Sequence, residues 1–322
     1  MTKEELEYRV GALLYMPALY PNIAEKIANG RFRDVNSFAF CLEDSIQNAV
    51  LDKAERALLH SLHSLKRIAD KQDAPLLFVR IRDPLHLQRF HESLGKDSSL
   101  LTGYILPKFD ESNAGDYVRV VREMNAGATE PVFVMPILET ERVACVETRR
   151  GALGALKRSI DGMREYVLNI RCGGADFCNI FGVRCARSQT IYEIGVVRDI
   201  LIDILNYFSR SYVVSAPVCE FFESDTSDAW KEVLRKETRL DRLNGFVGKT
   251  AIHPSQAPVI AESMKVSQAD YADALQILHW EDQELGVSRG ADGRMNEVKV
   301  HDTWARKTLR LAEVYGVASE SF

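Results

Sequence analysis

Residues 131–140 place a carboxylate where it could bind a metal ion. They read Pro-Val-Phe-Val-Met-Pro-Ile-Leu-Glu-Thr, an apolar run typical of a buried strand that ends in Glu139. An acid at the carboxyl end of a buried parallel strand can face an active site, so Glu139 is a candidate metal ligand. Glu139 is also a typical opening residue for the next helix, where it would suit the helix dipole.

Other predicted strands also end in charged residues, and acids and bases alternate among them. They are Glu43, Asp44, Arg80, Lys108, Asp176 and Lys249. In a barrel the carboxyl ends of the strands converge on one face, so these side chains would meet. Two acids, Glu139 and Asp176, would leave positions open to water and substrate, which is how Mg²⁺ (or Mn²⁺) usually binds. The alternative is a network of salt bridges around the barrel rim.

A half-open metal site is suited to a 2-oxo acid, bound through its carboxylate and carbonyl oxygens. The metal would act as a Lewis acid and hold the charge of an enolate. Arg80 could contact the same oxygens as a fixed donor that never deprotonates. These residues therefore predict a site that could bind a 2-oxo acid and stabilise an enolate.

The remaining polar candidates favour structural roles. Gly173 and Gly174 could bring backbone amides close to a ligand, although a glycine pair is also typical of a turn. His253 precedes a proline at the end of the eighth predicted strand, where bonding its own loop is at least as good an interpretation as catalysis. The other six histidines have no partner at ligand spacing and are interpreted as surface or packing residues: His60, His63, His86, His91, His279 and His301.

Composition excludes several classes of protein. The chain has 322 residues, 46% hydrophobic and 27% charged, with a net charge of −5, so it predicts no nucleic-acid partner. The first residues are acidic rather than cationic and apolar, and no run reaches the length of a membrane helix, so a cytoplasmic location is expected. The six cysteines form no CxxC pair and are expected to be reduced.

Eight predicted strands alternate with predicted helices along the chain. The strands are residues 9–16, 37–42, 75–81, 104–106, 131–140, 166–170, 212–215 and 245–251. The helices are residues 21–29, 48–71, 113–125, 142–156, 191–209 and 227–243, followed by 268–285 and 302–315. In the third strand, Arg80 and Arg82 are expected to point to the same side, because side chains alternate with a period of two.

This alternation predicts the α/β class, a (β/α)₈ TIM barrel with a C-terminal helical extension. An open doubly wound sheet is the alternative, but no GxGxxG follows the first strand. We expect residues 1–266 to form the catalytic barrel. Residues 267–322 would form the extension, packed on the barrel or on a neighbouring subunit.

Seven segments, in order, resemble one known family. They are Leu-Tyr-Met-Pro-Ala at 14–18, Leu-Glu-Asp-Ser at 42–45, Val-Arg-Ile at 79–81, Leu-Pro-Lys at 106–108, Ile-Leu-Glu-Thr at 137–140, Gly-Ala-Asp-Phe at 174–177 and Gly-Phe-Val-Gly-Lys-Thr-Ala-Ile-His-Pro-Ser-Gln at 245–256. The chain is similar to the HpcH/HpaI aldolase and citrate lyase β-subunit family, closest to its citrate lyase β-like branch.

The resemblance implies a Mg²⁺-dependent carbon–carbon lyase that cleaves a citryl-CoA-like or malyl-CoA-like thioester to a 2-oxo acid and an acyl-CoA. It implies metal ligation by Glu139 and Asp176, catalysis by Arg80, Glu43, Asp44 and Glu297, and substrate binding by Arg80, Lys108, Gly174, Ala175 and Pro254. Family members are usually trimers or larger assemblies in which the C-terminal segment crosses to a neighbour.

One departure from the family pattern leaves alternatives open. Where CoA-thioester lyases have Met-Ile-Asp in the C-terminal segment, this chain has Met295, Asn296 and Glu297. Glu297 keeps the carboxylate but adds a methylene, and a shift of about 1 Å can cost on the order of a hundredfold in rate. The alternatives are an aldolase acting on pyruvate and an aldehyde without CoA, and a non-catalytic or complex-dependent subunit that binds metal and oxo acid.

Overall fold

Eight parallel strands form one sheet in the computed structural model, which describes residues 1–69, 74–223, 228–281 and 284–319. The strands are β1 Ala12–Pro17, β2 Ser37–Cys41, β3 Leu76–Arg80, β4 Gly103–Leu106, β5 Phe133–Leu138, β6 Asn169–Cys172, β7 Val213–Ser215 and β8 Lys249–Ala251. Their order is β7-β6-β5-β4-β3-β2-β1-β8. A parallel bridge pairs Lys249 of β8 with Ala216, just after β7, and the Val247 N–H, two residues before β8, donates to the Val214 carbonyl of β7 at 2.9 Å. The sheet therefore closes, and the predicted barrel is confirmed over the open sheet.

Helices surround the barrel, and two helices with a hairpin follow it. The helices are α1 Lys3–Arg9, α2 Ile23–Ala28, α3 Leu51–Ala69, α4 Pro84–Leu94, α5 Ala114–Asn125, α6 Glu141–Ala144, α7 Val146–Asp161, α8 Gly174–Ile180, α9 Gly195–Phe208, α10 Ala229–Asn244, α11 Gln256–Met264, α12 Gln268–Leu278 and α13 Val298–Tyr315. The hairpin strands are β9 Val287–Arg289 and β10 Met295–Glu297. Within the described residues, no helix is long and apolar enough to cross a membrane.

The two-residue period of the strands separates two apolar layers. Leu13, Phe78 and Met135 belong to the cluster inside the barrel. Leu14 and Val79, one residue further on, belong to the cluster between the sheet and the helices. Because alternate side chains face opposite sides of a strand, every second residue after an interior residue also faces inward. This parity determines which side chains reach the barrel mouth.

The N-terminal helix α1 closes the bottom of the barrel. Thr2 accepts a hydrogen bond from the Glu5 N–H at 3.3 Å, and the Glu5 carboxylate accepts one from the Thr2 N–H at 2.8 Å. This capping box starts the helix, and Leu6 then packs with the interior cluster. The sequence analysis did not predict α1 and began the first strand at residue 9, three residues before β1.

Strand boundaries account for most of the differences from the predicted elements. The sixth strand is Asn169–Cys172 rather than residues 166–170, because a 3₁₀ turn occupies Arg164–Tyr166. The eighth strand is shorter than predicted, because Gly245 and Gly248 adopt positive φ angles of 107° and 71°. Helices α4, α8 and α11 and the hairpin were not predicted. Parts of the helices predicted at 48–71, 227–243 and 268–285 lie outside the described residues.

The C-terminal helices pack on the barrel of their own chain. The Tyr315 hydroxyl donates to the Tyr8 carbonyl at 2.8 Å, which ties α13 to α1. A parallel bridge also pairs Val266 with Val317. The division of the chain at residue 266 stays a prediction, as does a contact with a neighbouring subunit.

Lys249 lies outside the barrel wall, so the expectation that it reaches the mouth is wrong. In the register of β1 and β8, Leu13 pairs with Thr250 and Ala12 pairs with Lys249. Thr250 therefore faces inward with Leu13, and Lys249 faces the helices. The Lys249 ammonium is fully buried, 2.9 Å from a Glu237 oxygen and 2.8 Å from an Asp241 oxygen on α10.

This buried ion network fixes α10 against β8. Burial raises the pKa of Asp241 to about 6, although the Lys249 ammonium opposes that shift. The Tyr192 hydroxyl donates to Asp241 at 2.6 Å and satisfies its second oxygen. Without the ammonium, two carboxylates would remain buried next to each other.

We expect Lys249→Met to lower the free energy of unfolding by about 3–5 kcal/mol, because it leaves Glu237 and Asp241 without their shared cation. Urea unfolding of both proteins measures the difference. Arg119→Met, which breaks an exposed pair with Glu123 on α5, is the control and should cost less than about 1 kcal/mol. Equal losses in the two variants would contradict this account of the network.

Candidate active site

A cavity of about 360 Å³ opens at the carboxyl ends of the barrel strands. Its wall includes residues from β1, β2, β3, β5, β6 and β8 and from the loops that follow them. The lining residues are Tyr15, Met16, Pro17, Cys41, Asp44, Ser45, Arg80, Ile137, Glu139, Arg171, Cys172, Gly173, Gly174, Ala175, Asp176, Val218, Thr250 and Ile252. Four predicted charged residues, Asp44, Arg80, Glu139 and Asp176, thus share one cavity.

Glu139 and Asp176 approach each other across Gly173. A Cβ atom built on Gly173 would lie 2.2 Å from the Glu139 Cβ, 2.5 Å from Glu139 Oε2 and 3.0 Å from Asp176 Oδ2. Only a residue without a side chain fits between these carboxylates. The two acids therefore lie close together in the fold, although they are 37 residues apart in the sequence.

Arg80, the last residue of β3, contacts three carboxylates. Its Nη2 lies 2.9 Å from Glu43 Oε2, 3.0 Å from Asp44 Oδ2 and 3.5 Å from Glu139 Oε1. Burial lowers the pKa of Arg80, but the nearby carboxylates, Glu139 foremost, raise it by more than burial lowers it. The net shift of the pKa is therefore upward. The guanidinium is therefore a permanent charge at the edge of the cavity.

Lys108 links the same acids from the loop after β4. Its backbone N–H donates to Glu139 Oε1 at 2.7 Å, and its ammonium donates to Glu43 at 2.5 Å and Asp44 at 3.1 Å. The residue has a φ of 48°, in the left-handed region that non-glycine residues rarely adopt. The cost of such a conformation is typical of functional sites. Lys108 does not line the cavity, so its predicted contact with substrate stays a prediction.

Burial raises the pKa of Glu139 to about 8, although Arg80 opposes the shift. The neighbouring Asp176 raises that pKa further. At neutral pH the pair therefore tends to hold a proton unless a cation replaces it. The pKa of Asp44 moves the other way: burial raises it, but hydrogen bonding to Glu43 and the charge of Arg80 lower it more, so Asp44 stays ionised.

The oxygen ligands present fit a hard divalent cation. Glu139 and Asp176 converge on one point, and burial together with the neighbouring Asp176 raises the pKa of Glu139 despite the nearby Arg80, so a cation bound there would relieve both effects. In the part of the chain that is described, no three acidic, histidine or cysteine side chains converge on a metal position. An ion held by the two acids would therefore keep positions open for ligand oxygens.

The other predicted site residues are divided between the cavity and other parts of the fold. Gly174 and Ala175 line the cavity, as predicted for substrate-binding positions. Pro254 lies in the turn after β8, and Glu297 lies on the hairpin strand β10, where its N–H donates to His301 at 3.0 Å. Neither residue lines the cavity of its own chain, so both roles stay predictions.

Three cavity residues were missed by the sequence analysis: Tyr15, Arg171 and Thr250. Arg171 Nη2 donates to Thr250 Oγ1 at 2.7 Å, across the barrel interior. For Arg171, the sequence did contain a signal: Asn169 and Arg171 are polar residues at alternate positions of the sixth strand, which indicates that both face the same side. The signal was missed because the predicted strand ended at residue 170. For Tyr15, its place two residues after Leu13 was the corresponding signal.

Two further expectations need correction. Arg82 does not share a side with Arg80, because β3 ends at Arg80 and the alternation ends with it; Arg82 instead donates to the carbonyls of Leu42 and Ile46. His63 and His86 do have carboxylate partners. His86 Nε2 lies 3.1 Å from Glu55 on a neighbouring helix, and His63 Nδ1 lies 3.2 Å from Asp97.

The expectations for His253 and for the cysteines agree with the structure. The His253 ring lies 2.7 Å from Ser255 Oγ within its own loop, in keeping with a structural role. All six cysteines are free thiols. Two of them, Cys41 and Cys172, line the cavity, and burial raises the pKa of the Cys172 thiol to about 12, which disfavours its reactive thiolate form.

Fold and site together define a (β/α)₈ barrel with paired acids and a buried arginine at its mouth. A family model described as carbon–carbon bond lyase of the TIM-barrel fold matches residues 4–317. The chain belongs to this family and is a carbon–carbon lyase. This confirms the family resemblance found in the sequence. No curated protein sequence matches the chain significantly.

Solved structures of citrate lyase-like proteins share the fold. CitE from Mycobacterium tuberculosis, in complex with magnesium, acetoacetate and coenzyme A, is 22% identical with a TM-score of 0.62, over 95% of this chain and 99% of that one. A citrate lyase from Burkholderia xenovorans LB400 is 18% identical with a TM-score of 0.65, over 97% and 94%. The citrate lyase β subunit from M. tuberculosis with oxaloacetate and magnesium is 22% identical with a TM-score of 0.51, over 80% and 98%.

We expect Gly173→Ala to weaken Mg²⁺ binding about 10- to 100-fold, because the new methyl group would displace the Glu139 carboxylate from Asp176. Isothermal titration calorimetry with Mg²⁺ measures the change. Gly115→Ala on α5 is the matched control, since its methyl group would meet nothing within 4 Å. Unchanged Mg²⁺ affinity in Gly173→Ala would show that the two acids do not share an ion.

Mg²⁺ affinity should also rise with pH up to about 8 and level off above it. Glu139 must lose its proton to bind a cation, and its pKa without the ion is about 8. The rise should be at most about tenfold per pH unit, with proton release that calorimetry in two buffers detects. Affinity that stays constant between about pH 6 and 9 would contradict the assignment of Glu139.

Proposed function

We propose that this lyase is Mg²⁺-dependent and cleaves a 3-hydroxyacyl thioester of the citryl-CoA or malyl-CoA type to a 2-oxo acid and an acyl-CoA. The observation that carries the proposal is the approach of Glu139 and Asp176 across Gly173, next to Arg80. The complexes of the M. tuberculosis proteins with magnesium, oxaloacetate and coenzyme A support the choice of ligands.

In the proposed cleavage, the bond between the carbinol carbon and the carbon next to the thioester breaks. The hydroxyl group loses its proton and becomes the carbonyl of the 2-oxo acid. The electron pair of the broken bond goes to the thioester fragment, which takes up a proton to give the acyl-CoA. The site must therefore accept one proton, donate one, and stabilise oxygen atoms that gain negative charge.

Glu139 and Asp176 would hold the metal ion. When bound, a divalent ion supplies Lewis-acid polarisation of the carboxylate and carbonyl oxygens of the oxo acid. Arg80 would donate to the same carbonyl oxygen, because Glu43, Asp44 and Glu139 hold its guanidinium at the cavity edge. This fixed geometry needs no reorganisation during the reaction.

Asp44 is the proposed acceptor of the hydroxyl proton from within the chain. It lines the cavity, and its lowered pKa keeps it ionised at neutral pH, the form that has a free oxygen lone pair for the proton. Glu297 of a second copy is the other proposed carboxylate, as the family resemblance implies. Gly174, Ala175, Lys108 and, from the turn after β8, Pro254 would contact the substrate.

We also propose that the C-terminal hairpin contacts a second copy of the chain. Large apolar side chains are exposed on the hairpin and at the start of α13: Leu285 (60%), Val287 (45%), Met295 (56%) and Val300 (64%). Exposed apolar side chains grouped in this way are typical of protein interfaces. A second copy docked there would bring Glu297 to an intersubunit boundary.

We expect purified full-length chain with Mg²⁺ to cleave citryl-CoA or malyl-CoA, and Arg80→Met and Glu139→Gln to lose at least about a hundredfold in kcat/KM. Spectrophotometric release of the 2-oxo acid measures the rate. Glu141→Gln, which removes an exposed acid two residues after Glu139, should retain activity and is the matched control.

The other outcomes of this assay decide between the functions. Turnover of pyruvate with an aldehyde, and none of any thioester, would replace the proposal by a CoA-independent aldolase. Mg²⁺-dependent oxo-acid binding without turnover would indicate a non-catalytic subunit. Light scattering on the same preparation tests assembly, and a monomer would contradict the proposed hairpin contact.

A further inference from the structure

Arg171 occupies the deep end of the cavity. It is 1% exposed, whereas Asp176 at the mouth is partly exposed. In the register of β5 and β6, Arg171 pairs with Ile137, two residues before Glu139. Two residues of strand correspond to about 7 Å, so the Arg171 backbone lies roughly that far below the Glu139 backbone.

Arg171 differs from Arg80 in having no acidic partner. Arg80 contacts three carboxylates, but no carboxylate lies within salt-bridge distance of Arg171 in the described part of the chain. Its Nη2 donates to Thr250 Oγ1, while Nε and Nη1 find no acceptor at hydrogen-bonding geometry among the described residues. Burying a cation without a counter-ion lowers the free energy of unfolding, so Arg171 destabilises the fold when no ligand is bound.

The polar groups next to Arg171 are hydroxyl groups, which can donate one hydrogen bond while they accept another. The Thr250 oxygen accepts from Arg171, and its own hydroxyl proton remains for another acceptor. The Tyr15 hydroxyl is within electrostatic reach of Arg171 and also lines the cavity. Guanidinium N–H groups and two hydroxyl groups, with no acid among them, form a site that is complementary to an anion.

We propose that Arg171, with Thr250 and Tyr15, binds the second carboxylate of a dicarboxylic 2-oxo acid whose oxo end lies at Glu139 and Asp176. This inference rests on the proposed function and narrows its substrate class from 2-oxo acids in general to four-carbon diacids. Such a molecule spans roughly 6 Å between its outer oxygens on ordinary bond lengths, similar to the spacing between the strand levels of Arg171 and Glu139. A monocarboxylic acid such as pyruvate would leave Arg171 without an anion.

The test compares the binding of two acids that differ by one carboxylate. Calorimetry with saturating Mg²⁺ and freshly dissolved oxaloacetate or pyruvate gives the affinity of the full chain for each. We expect Arg171→Met to weaken oxaloacetate binding about 10- to 100-fold, the range for hydrogen bonds to a charged group, and to change pyruvate binding less than about threefold. Arg150→Met, on the exposed face of α7, is the matched control and should change neither.

A second variant and a stability measurement distinguish binding from a structural role. Thr250→Val keeps the shape of residue 250 but removes its hydroxyl group, and it should weaken oxaloacetate binding selectively even if Arg171→Met does not fold. Because Arg171 has no counter-ion, Arg171→Met without ligand should melt no lower than the wild-type chain. A purely structural arginine would give a lower melting temperature and equal effects on both acids.

The outcomes for this inference and for the proposed function are separable. In one outcome the wild-type protein binds both acids with Mg²⁺, and Arg171→Met weakens the binding of both equally or of neither. That result would overturn the assignment of Arg171 and leave the proposed function intact. Wild-type protein that binds neither acid in the presence of Mg²⁺ would overturn both.

Discussion

The site depends on the burial of one carboxylate, Glu139, among charges of both signs. Arg80 and the Lys108 N–H favour its ionised form, while burial and the neighbouring Asp176 oppose it. Burial prevails and raises the pKa of Glu139 to about 8. A carboxylate in this balance binds a cation readily, because the cation relieves the repulsion from Asp176 and replaces the lost hydration. The surrounding ion cluster keeps the acid in place for that role.

Charged residues of the barrel form two networks, and the parity of the strands separates them. Interior positions carry the functional groups, such as Arg80 and Arg171, above an apolar layer inside the barrel. Lys249 has the opposite parity and holds α10 against the barrel wall through Glu237 and Asp241. One network therefore maintains the fold while the other remains available to a ligand. Neighbouring residues of β8, Lys249 and Thr250, belong to different networks because alternate side chains face opposite sides.

Much of the fold was readable from local pattern. The alternation of apolar strands with helices predicted the closed barrel, and the ordered family segments predicted that Glu139, Asp176 and Arg80 share a site. Errors arose where local pattern is weakest, at element ends. The predicted sixth strand ended two residues early and so left out Arg171. The predicted third strand was extended beyond its observed end, which assigned Arg82 to the wrong side. Parity has a period of two, so an error of one residue reverses the direction of a side chain.

The sequence by itself determined the family, the barrel and the residue types at the strand ends, because these follow from hydrophobic period and ordered motifs. Only the tertiary structure decided which charges are compensated. Arg80 and Arg171 are both arginines near strand ends, yet one contacts three carboxylates and the other contacts a threonine hydroxyl. That difference arises from residues on other strands, brought near by barrel closure and register. The spacing of residues along the chain does not indicate which side chains become neighbours across the barrel. The charge balance of the cavity therefore cannot be predicted from the sequence alone.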